Sequence, residues 1–426
     1  MNETVRMRVS NGQAAYRPGL VAVLDIGTSK IVCLIGRAEA GALKVMGTAM
    51  RESAGLKSAT VTSIDQAEEA IREAVAAAEN HADVRIQNVL ISVNCGQPTS
   101  ITARAGLVLN GALVSDVHLR TLLNDGRARC RLDGHEIIQS RPTSYVVDEA
   151  RGVRNPSGMF CERLGVSMHA VAVKPSPLQN LKLAVERCHL TVVGSMFGAY
   201  ASALSTLTPD EKQLGATVID MGGGTTSIAV FMEGELVHVD VVPIGGQHVT
   251  ADLARMLAAP LSAAERIKVL YGAALGEIES GADVISVPQM GEGSHEFAAR
   301  VPRSMLTRII QPRLEEVFGE VQARLRTSGF DVAAGRRAVL TGGACQLAGA
   351  RELAGRVLNK QVRLGRPQTF PGLPAASAGP DYAPALGLLM AGATMPPEVL
   401  NPDLEAVTEN EKPKNGLIRL VAGLFG

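Results

Sequence analysis

Aromatic residues are scarce in this chain of 426 residues, and tryptophan is absent altogether. Phenylalanine and tyrosine together make up 3% of the sequence. Proteins that bind single-stranded nucleic acids stack successive bases on aromatic side chains. The composition therefore argues against a surface for single-stranded DNA or RNA.

An excess of charge of either sign is also absent, because 42 Lys and Arg residues balance 42 Asp and Glu residues. A general nucleic-acid binder needs a basic face, and no Lys/Arg run stands out in the sequence. We therefore expect no nucleic-acid partner. With 46% hydrophobic and 20% charged residues, the composition is that of an ordinary globular protein, and the length predicts two or more domains.

Cysteine pairs, targeting sequences and long apolar runs are missing as well. The six cysteines are scattered without a C-x-x-C motif, which favours buried free thiols over metal ligands or disulfides. The first 19 residues have no apolar core and predict no secretory signal. No run of about 18 apolar residues predicts a membrane span. We therefore expect a cytoplasmic protein that reaches a membrane only peripherally.

The most informative pattern in the sequence is an internal duplication. Residues 21–37 (VAVLDIGTSKIVCLIGR) predict two strands joined by an Asp-Ile-Gly-Thr turn, with a third strand after them. Residues 216–232 (ATVIDMGGGTTSIAVFM) repeat this order. Asp25 and Asp220 occupy matching places, 195 positions apart (220 − 25). The pattern predicts two related halves, each with one phosphate-binding turn.

A polar, turn-rich stretch interrupts the first half. A helix over Asp65–Asn80, capped by Asp65, and a buried strand over Val89–Val93 precede it. Residues 101–168 then predict an inserted subdomain. Within this subdomain the sequence predicts strands at Ile137-Ile138 and Tyr145–Val147.

Both turns carry the residue types that bind phosphate. Glycine lets the backbone approach a ligand closely, and Thr and Ser add hydroxyl and N–H donors. The candidate ligands are Asp25, Gly27, Thr28, Ser29 and Lys30 in the first turn and Asp220, Gly222, Gly223, Gly224, Thr225 and Thr226 in the second. Asp25 and Asp220 suit a Mg²⁺ ion held through its waters, because Mg²⁺ takes few direct carboxylates. One such turn is more often only structural, but two matched turns favour a nucleotide site.

A third segment predicts the nucleoside end of that site. Residues 338–344 (AVLTGGA) form a strand that runs into Gly342, Gly343 and Ala344, with a helix from about Leu347. Glycines at such a strand-to-helix junction let a base or ribose approach, although a plain tight turn is the alternative. Glu265 and Lys268 lie one helical turn apart and either pair on a solvated face or reach the nucleotide sugar. No G-x-x-x-x-G-K-[ST] motif is present, so this is not a Walker site.

Together these residues resemble the actin, DnaK and sugar-kinase superfamily. Within it the chain is similar over nearly its whole length to the FtsA family of bacterial cell-division proteins. The matching segments are DIGTSK, VERCHL, DMGGGTTSIAVF, AAERIKVLYGAALG, VLTGGACQLAG, ALGLLMAG and the apolar tail. The resemblance implies an α/β fold of two duplicated ribonuclease-H-type domains around an ATP cleft, with ATP and Mg²⁺ as cofactors. The insertion follows Val93 rather than preceding the first helix, which agrees with an FtsA-type 1C subdomain and not with actin or DnaK.

The resemblance also implies a division of the chain into subdomains. The expected boundaries are 1–18 for a flexible N-terminus, 19–98 for 1A, 99–170 for 1C, 171–208 for the return to 1A with a bridging helix, 209–245 for 2A, 246–304 for 2B, 305–362 for the return to 2A, 363–394 for the return to 1A, 395–415 for a linker and 416–426 for an amphipathic membrane-targeting helix.

The function implied by the family is that of an ATP-binding, actin-like protein that polymerises and tethers FtsZ filaments to the inner face of the cytoplasmic membrane at the division site. Expected partners are the C-terminal peptide of FtsZ, bound by 2B, further copies of the chain, and later divisome proteins, bound by 1C. Arg300 and Arg303 are the candidate FtsZ contacts. Residues 291–299 beside them depart from the family pattern.

The last residues have the spacing of an amphipathic helix. The expected membrane-facing residues are Leu417, Ile418, Arg419, Leu420, Val421, Leu424 and Phe425. Complete burial of the six apolar side chains would gain roughly 9–18 kcal/mol, but ordering costs of about 1–2 kcal/mol per residue offset most of it. We therefore expect each tail to bind reversibly and many tails on one polymer to bind firmly. Docking on the protein itself or on a partner is the alternative.

Three other functions are alternatives to this one. A sugar kinase needs a catalytic Asp beside a sugar pocket, and no second-substrate motif is visible. A DnaK-like chaperone needs a β-rich domain after the ATPase part, and an amphipathic tail argues against a pilus-assembly protein of the PilM type. The sequence identifies no residue that positions an attacking water, so a nucleotide-binding switch and weak ATPase turnover both stay open.

Overall fold

A computed structural model describes residues 16–39, 41–275, 284–290 and 298–402. Elements are numbered in chain order. Up to residue 93 they are β1 Gly19–Ile26, β2 Lys30–Glu39, β3 Ala42–Glu52, β4 Leu56–Lys57, β5 Thr60–Val61, α1 Ile64–Ala82 and β6 Asn88–Val93. The hairpin predicted around Asp25 is confirmed, since β1 and β2 pair antiparallel as far as Ile26 opposite Ile31.

Helix α1 packs on the first sheet through small residues. Its predicted apolar stripe is buried, namely Ala67, Ala70, Ile71, Ala74, Val75 and Ala78. The predicted cap is wrong, because Ser63 precedes the helix and Asp65 lies in its first turn. The Asp65 carboxylate instead pairs with Arg187 at 2.8 Å. Burial of this stripe, rather than a side-chain cap, therefore holds the helix in place.

The inserted segment forms a sheet of its own. Its elements are β7 Thr99–Leu113, α2 Asp116–Arg129, β8 Glu136–Val147, β9 Ala150–Val153 and β10 Phe160–Val173. The strand order is β7-β10-β8-β9, so the two short strands predicted at residues 137–138 and 145–147 belong to one continuous strand. Helix α2 was not predicted, because its buried positions, Leu122 and Gly126, are too few to produce a helical period in the sequence.

The chain then returns to the first half. The returning elements are α3 Pro175–Glu186, β11 Thr191–Phe197 and α4 Gly198–Thr206. The resulting sheet has the order β11-β6-β1-β2-β3, in which β1, β6 and β11 run parallel. Carboxyl ends of parallel strands meet at one edge of a sheet, so β1, β6 and the start of α4 all border the same edge.

The second half repeats this sheet. Its elements are α5 Pro209–Leu214, β12 Ala216–Met221, β13 Thr226–Met232, β14 Glu235–Val242, α6 Gly246–Met256, α7 Leu261–Tyr271, β15 Val284–Val287, β16 Ala299–Pro302, α8 Arg303–Thr327, α9 Phe330–Ala333, β17 Arg337–Thr341, α10 Ala350–Leu358 and β18 Gln361–Leu364. The order β14-β13-β12-β17-β18 matches that of the first sheet, with three antiparallel strands followed by two parallel ones. The duplication read from the sequence is therefore present in the topology.

Two places near the end of the chain differ from the sequence-based expectation. A 3₁₀ turn occupies Gly343–Gln346, so the helix expected from Leu347 begins at Ala350. After α11 (Ala383–Thr394), which packs against α4, the predicted linker starts with a short helix, α12 (Pro397–Leu400). Its Leu400 is 4% exposed, so the first residues of that interval lie on the folded body.

The inserted sheet meets the second half at a polar seam. Arg141 on β8 pairs with Glu235 on β14 at 2.5 Å and also donates to the hydroxyl of Tyr200 on α4. The backbone N–H of Val239 on β14 donates to the hydroxyl of Ser100 on β7 at 2.7 Å. The insertion is therefore anchored on both halves. All six cysteines are free thiols, and five are buried, as expected from their scatter.

Candidate functional site

A deep cleft of about 1580 Å³ separates the two duplicated halves. Pockets for drug-sized ligands have volumes of roughly 300–1,000 Å³, so a mononucleotide with its hydration water fits. The cleft is lined by all the candidate nucleotide ligands except one, namely Asp25, Gly27, Thr28, Ser29, Lys30, Asp220, Gly222, Gly223, Gly224, Thr225, Glu265, Lys268, Gly342, Gly343 and Ala344. Thr226 lies outside the lining, fully buried, with its hydroxyl donating to the Ile244 carbonyl at 2.8 Å.

The two predicted turns have the same local geometry. In the first, the N–H of Gly27 donates to the Lys30 carbonyl at 2.9 Å. In the second, the N–H of Gly222 donates to the Thr225 carbonyl at the same distance. Each turn thus closes on itself and leaves the N–H groups between its ends available to a ligand, as in backbone anion sites.

The turns of the two halves face each other in direct contact. A Cβ atom built on Gly223 would lie 2.7 Å from Ser29 Oγ, and one built on Gly224 would overlap Thr28 Oγ1. Thr28 is held from its own half, because its hydroxyl accepts the Ala59 N–H at 2.8 Å. The glycines of the second turn are therefore needed for close approach of the halves.

Two buried carboxylates stand at the bases of these turns. Asp25 is 6% exposed and Asp220 is 8% exposed. Asp25 accepts a hydrogen bond from the Ser92 hydroxyl, and Asp220 accepts one from the Ser202 hydroxyl, both at 2.6 Å. The structure thus brings together the two aspartates that the duplication paired in the sequence.

Burial disfavours the charged form of both carboxylates. It raises the pKa of Asp25, and it raises the pKa of Asp220 to about 6, with the nearby charge of Asp25 adding to the effect. Lys30 lowers the pKa of both groups, but it also pairs with Asp381 at 3.2 Å. Lys30 alone does not balance the charge of these acids. A hydrated divalent cation bound between the two carboxylates would supply the missing positive charge. No cluster of three or more His, Cys, Asp or Glu side chains suited to direct metal ligation occurs in the described ranges.

The part of the cleft predicted to hold the nucleoside is built on glycine and one ion pair. Gly342 has a φ of 85°, and a Cβ atom there would overlap the Asp220 carboxylate. Lys268 Nζ pairs with Glu265 at 2.7 Å and also donates to the Gly246 carbonyl at 3.1 Å. The two side chains therefore pair with each other, as one alternative expected, but they do so in the wall of the cleft, where contact with a nucleotide sugar stays a prediction.

Several polar residues of the cleft were missed by sequence reasoning. Asn94, Gln247 and Asp381 line the cleft, and Ser92 and Ser202 donate to its two carboxylates. Each lies outside the glycine-rich turns, on a strand end, a helix or a short 3₁₀ turn. The serines carry no motif, and only the packing of β6 on β1, and of α4 on β12, sets them beside the carboxylates.

The remaining predicted site residues have different outcomes. Arg300 is exposed on β16, and Arg303 begins α8, where its Nε donates to the Tyr271 carbonyl at 3.0 Å. Arg303 also lines the cleft, so its side chain belongs to the cleft wall as well as to the contact with Tyr271. The predicted membrane-facing residues 417–425 lie outside the described residues. Among the described helices, none is both long and apolar enough to cross a membrane.

Solved structures with this fold include nucleotide-bound proteins. The chain aligns with the "PilM-PilN type IV pilus biogenesis complex" at a TM-score of 0.61 and 16% identity, covering 88% of this chain and 99% of that one. It aligns with MreB5 of Spiroplasma citri bound to AMPPNP at a TM-score of 0.51 and 12% identity, covering 92% and 99%. At these identities the likeness shows the fold alone, which is the expected actin-like α/β architecture.

Sequence comparisons identify the family. The family model "Cell division protein FtsA" matches residues 217–387, and the model "SHS2 domain inserted in FTSA" matches residues 95–172. The "Cell division protein FtsA" of Rhizobium meliloti is 41% identical over 385 residues, which cover 88% of this chain and 87% of that protein. The protein of the same description from Escherichia coli K12 is 33% identical, covering 88% and 90%. The chain therefore belongs to the FtsA family of actin-like cell-division proteins and carries the insertion domain of that family.

Proposed function

We propose that this chain binds ATP with Mg²⁺ in the cleft and uses the bound nucleotide to control its assembly at the cell-division site. The observation that carries this proposal is the contact between the two phosphate-type turns above two buried carboxylates. Such an arrangement brings many backbone N–H donors and two acids to one point between the halves, as a phosphate chain with a divalent cation requires.

Each group in the cleft has a role in this proposal. The N–H groups between the ends of the two turns, at residues 28–29 and 223–224, bind the phosphate oxygens, and Lys30 adds a positive charge. Asp25 and Asp220 hold the hydrated Mg²⁺, which offsets the charge of the phosphates. Glu265 and Lys268 bind the ribose, and the Gly342–Ala344 turn gives the base room. Because these groups come from both halves, the nucleotide holds the cleft closed.

Binding of a fluorescent ATP analogue with and without Mg²⁺ tests the nucleotide site. Asp25→Asn removes one of the two proposed metal carboxylates, so we expect at least a 10-fold loss of Mg²⁺-dependent affinity, equivalent to about 1.4 kcal/mol. Asp133→Asn, at an exposed position in the insertion, is the matched control and should leave affinity unchanged. Equal affinity of the wild type and Asp25→Asn in Mg²⁺ would contradict the assignment.

We propose that the β15–β16 region binds the C-terminal peptide of FtsZ through Arg300. Arg300 is exposed and, unlike Arg303, does not line the cleft. A pull-down with an FtsZ C-terminal peptide should succeed with the wild type and fail with Arg300→Glu. Arg131→Glu, an exposed charge reversal in the insertion, should bind like the wild type. Undiminished capture by Arg300→Glu would reject this residue as the contact.

Membrane tethering and polymerisation complete the proposed function. The tail sequence supports a peripheral anchor on the cytoplasmic face of the inner membrane, and ATP-dependent filaments would supply many tails at once. Co-sedimentation with liposomes should be lost in a chain that ends at Lys414, and equal pelleting would reject the anchor. Electron microscopy on lipid monolayers with ATP should show filaments, and monomers alone would reject self-association.

Recruitment of later divisome proteins is assigned in this proposal to the inserted domain. Its support is the family's characteristic insertion at residues 95–172 and the exposed outer end of that domain. Deleting residues 99–170 should leave nucleotide binding intact and abolish co-purification of those partners. Retention of the partners by the deleted chain would assign them elsewhere.

A further inference from the structure

Asn94 lies in the cleft at a position that no sequence motif marks. It directly follows β6, at the edge where the carboxyl ends of β1 and β6 meet, and its side chain lines the cleft. The only hydrogen bond that its amide makes within the described residues is accepted by Oδ1 from the Ser227 hydroxyl, at 3.2 Å. The two Nδ2 hydrogens are therefore available to a ligand.

The position of Asn94 relative to the two carboxylates is fixed by neighbouring contacts. Ser92, two residues earlier, donates to Asp25. Ser227 lies directly opposite Asp220 in the β12–β13 ladder. Asn94 thus lines the cleft two residues after the partner of Asp25 and in contact with the residue opposite Asp220.

The amide also lies against the start of the bridging helix. A Cβ atom built on Gly198, the first residue of α4, would lie 2.5 Å from Asn94 Nδ2 and 2.6 Å from its Oδ1. Because glycine has no Cβ atom, the Asn94 amide can lie against the backbone at this position. No side chain caps the N-terminus of α4, so its backbone N–H groups add partial positive charge beside Asn94.

Because the bond between Asn94 and Ser227 joins one half to the other, it depends on closure of the cleft. Asn94 lines the same cleft as the two phosphate-type turns and both acids, so its free amide hydrogens face the space that a bound phosphate chain would enter. We propose that Asn94 is the residue that distinguishes ATP from ADP, by donating Nδ2–H to the terminal phosphate while Ser227 holds its carbonyl. This inference rests on the proposed nucleotide function.

The location also connects the nucleotide to the insertion. The family model of the inserted domain begins at residue 95, immediately after Asn94. The segments that enter and leave that domain are joined at its base, where the Lys174 N–H donates to the Gly96 carbonyl at 2.7 Å. Loss of the terminal phosphate would therefore release a side chain directly at the entrance to the inserted domain.

The test compares ATP and ADP affinities, by competition with a fluorescent nucleotide in Mg²⁺, for the full chain and its variants. A hydrogen bond to a charged group is worth about 1.5–3 kcal/mol, so Asn94→Ala should weaken ATP binding about 10-fold or more and ADP binding less than 2-fold. Asn94→Asp should lose more ATP affinity, because its carboxylate repels the phosphate. Ser227→Ala should lose less, because the amide remains.

Gly198→Ala supplies an independent variant in which Asn94 is intact but displaced by the new methyl group. It should reproduce the selective loss of ATP affinity, and the exposed Asn88→Ala on the same strand should not. Thermal melting checks that each variant folds. Equal loss of ATP and ADP affinity in Asn94→Ala and Gly198→Ala, or no loss in either, overturns the assignment while the nucleotide site stands. Failure of the wild type to bind either nucleotide instead rejects the proposed function.

Discussion

The buried carboxylate of Asp220 should destabilise the nucleotide-free protein. Burial, with the nearby charge of Asp25, raises its pKa from the ordinary value of 3.8 to about 6, even though the Ser202 hydroxyl donates to it. Since one pKa unit corresponds to 1.36 kcal/mol, this difference amounts to about 3 kcal/mol. Asp220→Asn removes the charge and keeps an acceptor for Ser202, so it should recover most of this free energy.

The sign follows from proton binding. The folded protein binds the Asp220 proton more tightly than the unfolded chain does, so its contribution to stability falls as pH rises from about 4 to about 6 and then levels off. The free energy of unfolding of Asp220→Asn should therefore exceed that of the wild type by up to about 3 kcal/mol at pH 7.5. At pH 5 the advantage should be about half as large.

Urea denaturation of the nucleotide-free protein at both pH values measures this difference. Asp133→Asn, at an exposed position, is the control and should match the wild type. In a parallel set with Mg²⁺ and ATP at 100 times Kd, the wild type should gain about 2.7 kcal/mol and Asp220→Asn much less. The reasoning about this carboxylate is refuted if nucleotide-free Asp220→Asn is no more stable than the wild type at pH 7.5. It is also refuted if the difference in free energy of unfolding between the two proteins is the same at both pH values.

Three further substitutions probe other contacts. Gly224→Ala places a methyl group against Thr28 and should hold the turns apart, so nucleotide titration should show at least a 10-fold loss of affinity. Bonds from Arg363 lower the pKa of Glu211 to about 2, and Glu211→Gln weakens them. Urea unfolding at pH 7 should therefore show a free energy of unfolding about 1–2 kcal/mol below that of the wild type. This difference should disappear as pH falls from about 4.5 towards 2. Arg141→Met leaves its carboxylate partner on β14 unpaired and should cost about 2–3 kcal/mol in the same assay.

Each of these substitutions has a matched control or a contradicting result. Gly319→Ala, in open space inside α8, should not weaken nucleotide binding, and equal loss in both glycine variants would discount the contact between the turns. A Glu211→Gln loss that persists at pH 2 would rule out the ion pair as its cause. Adding Glu235→Gln to Arg141→Met should restore part of the lost stability, and an additive further loss would argue against the pairing.

The parts of the fold that repeat a local pattern could be predicted from the sequence. The two hairpins around Asp25 and Asp220 follow from alternating apolar runs with a glycine turn, and such turns are determined by residues next to each other in the chain. The stripe of small apolar residues on α1 is likewise local. Cap and boundary residues were predicted less well, because Asp65 had a distant partner in Arg187 that sequence spacing does not show.

The candidate site was predicted only where its residues lie in glycine-rich turns. Thr226 was included because it continues the turn sequence, yet the pleat of β13 directs its hydroxyl to Ile244 and away from the cleft. Asn94 and Asp381 were not found, since a single amide or carboxylate at the end of an element carries no local pattern. Helix α2 was missed for a similar reason, as its buried face is too narrow to show a period.

The sequence by itself determined the duplication, the two phosphate-type turns and the family, because each depends on residue types in a fixed local order. Only the tertiary structure decided that the turns touch, that Asp25 and Asp220 share one buried site, and that Asn94 contacts Ser227 of the other half. Those relations join residues about 130 to 200 positions apart. They arise from packing of the two sheets across the cleft, which no local spacing encodes.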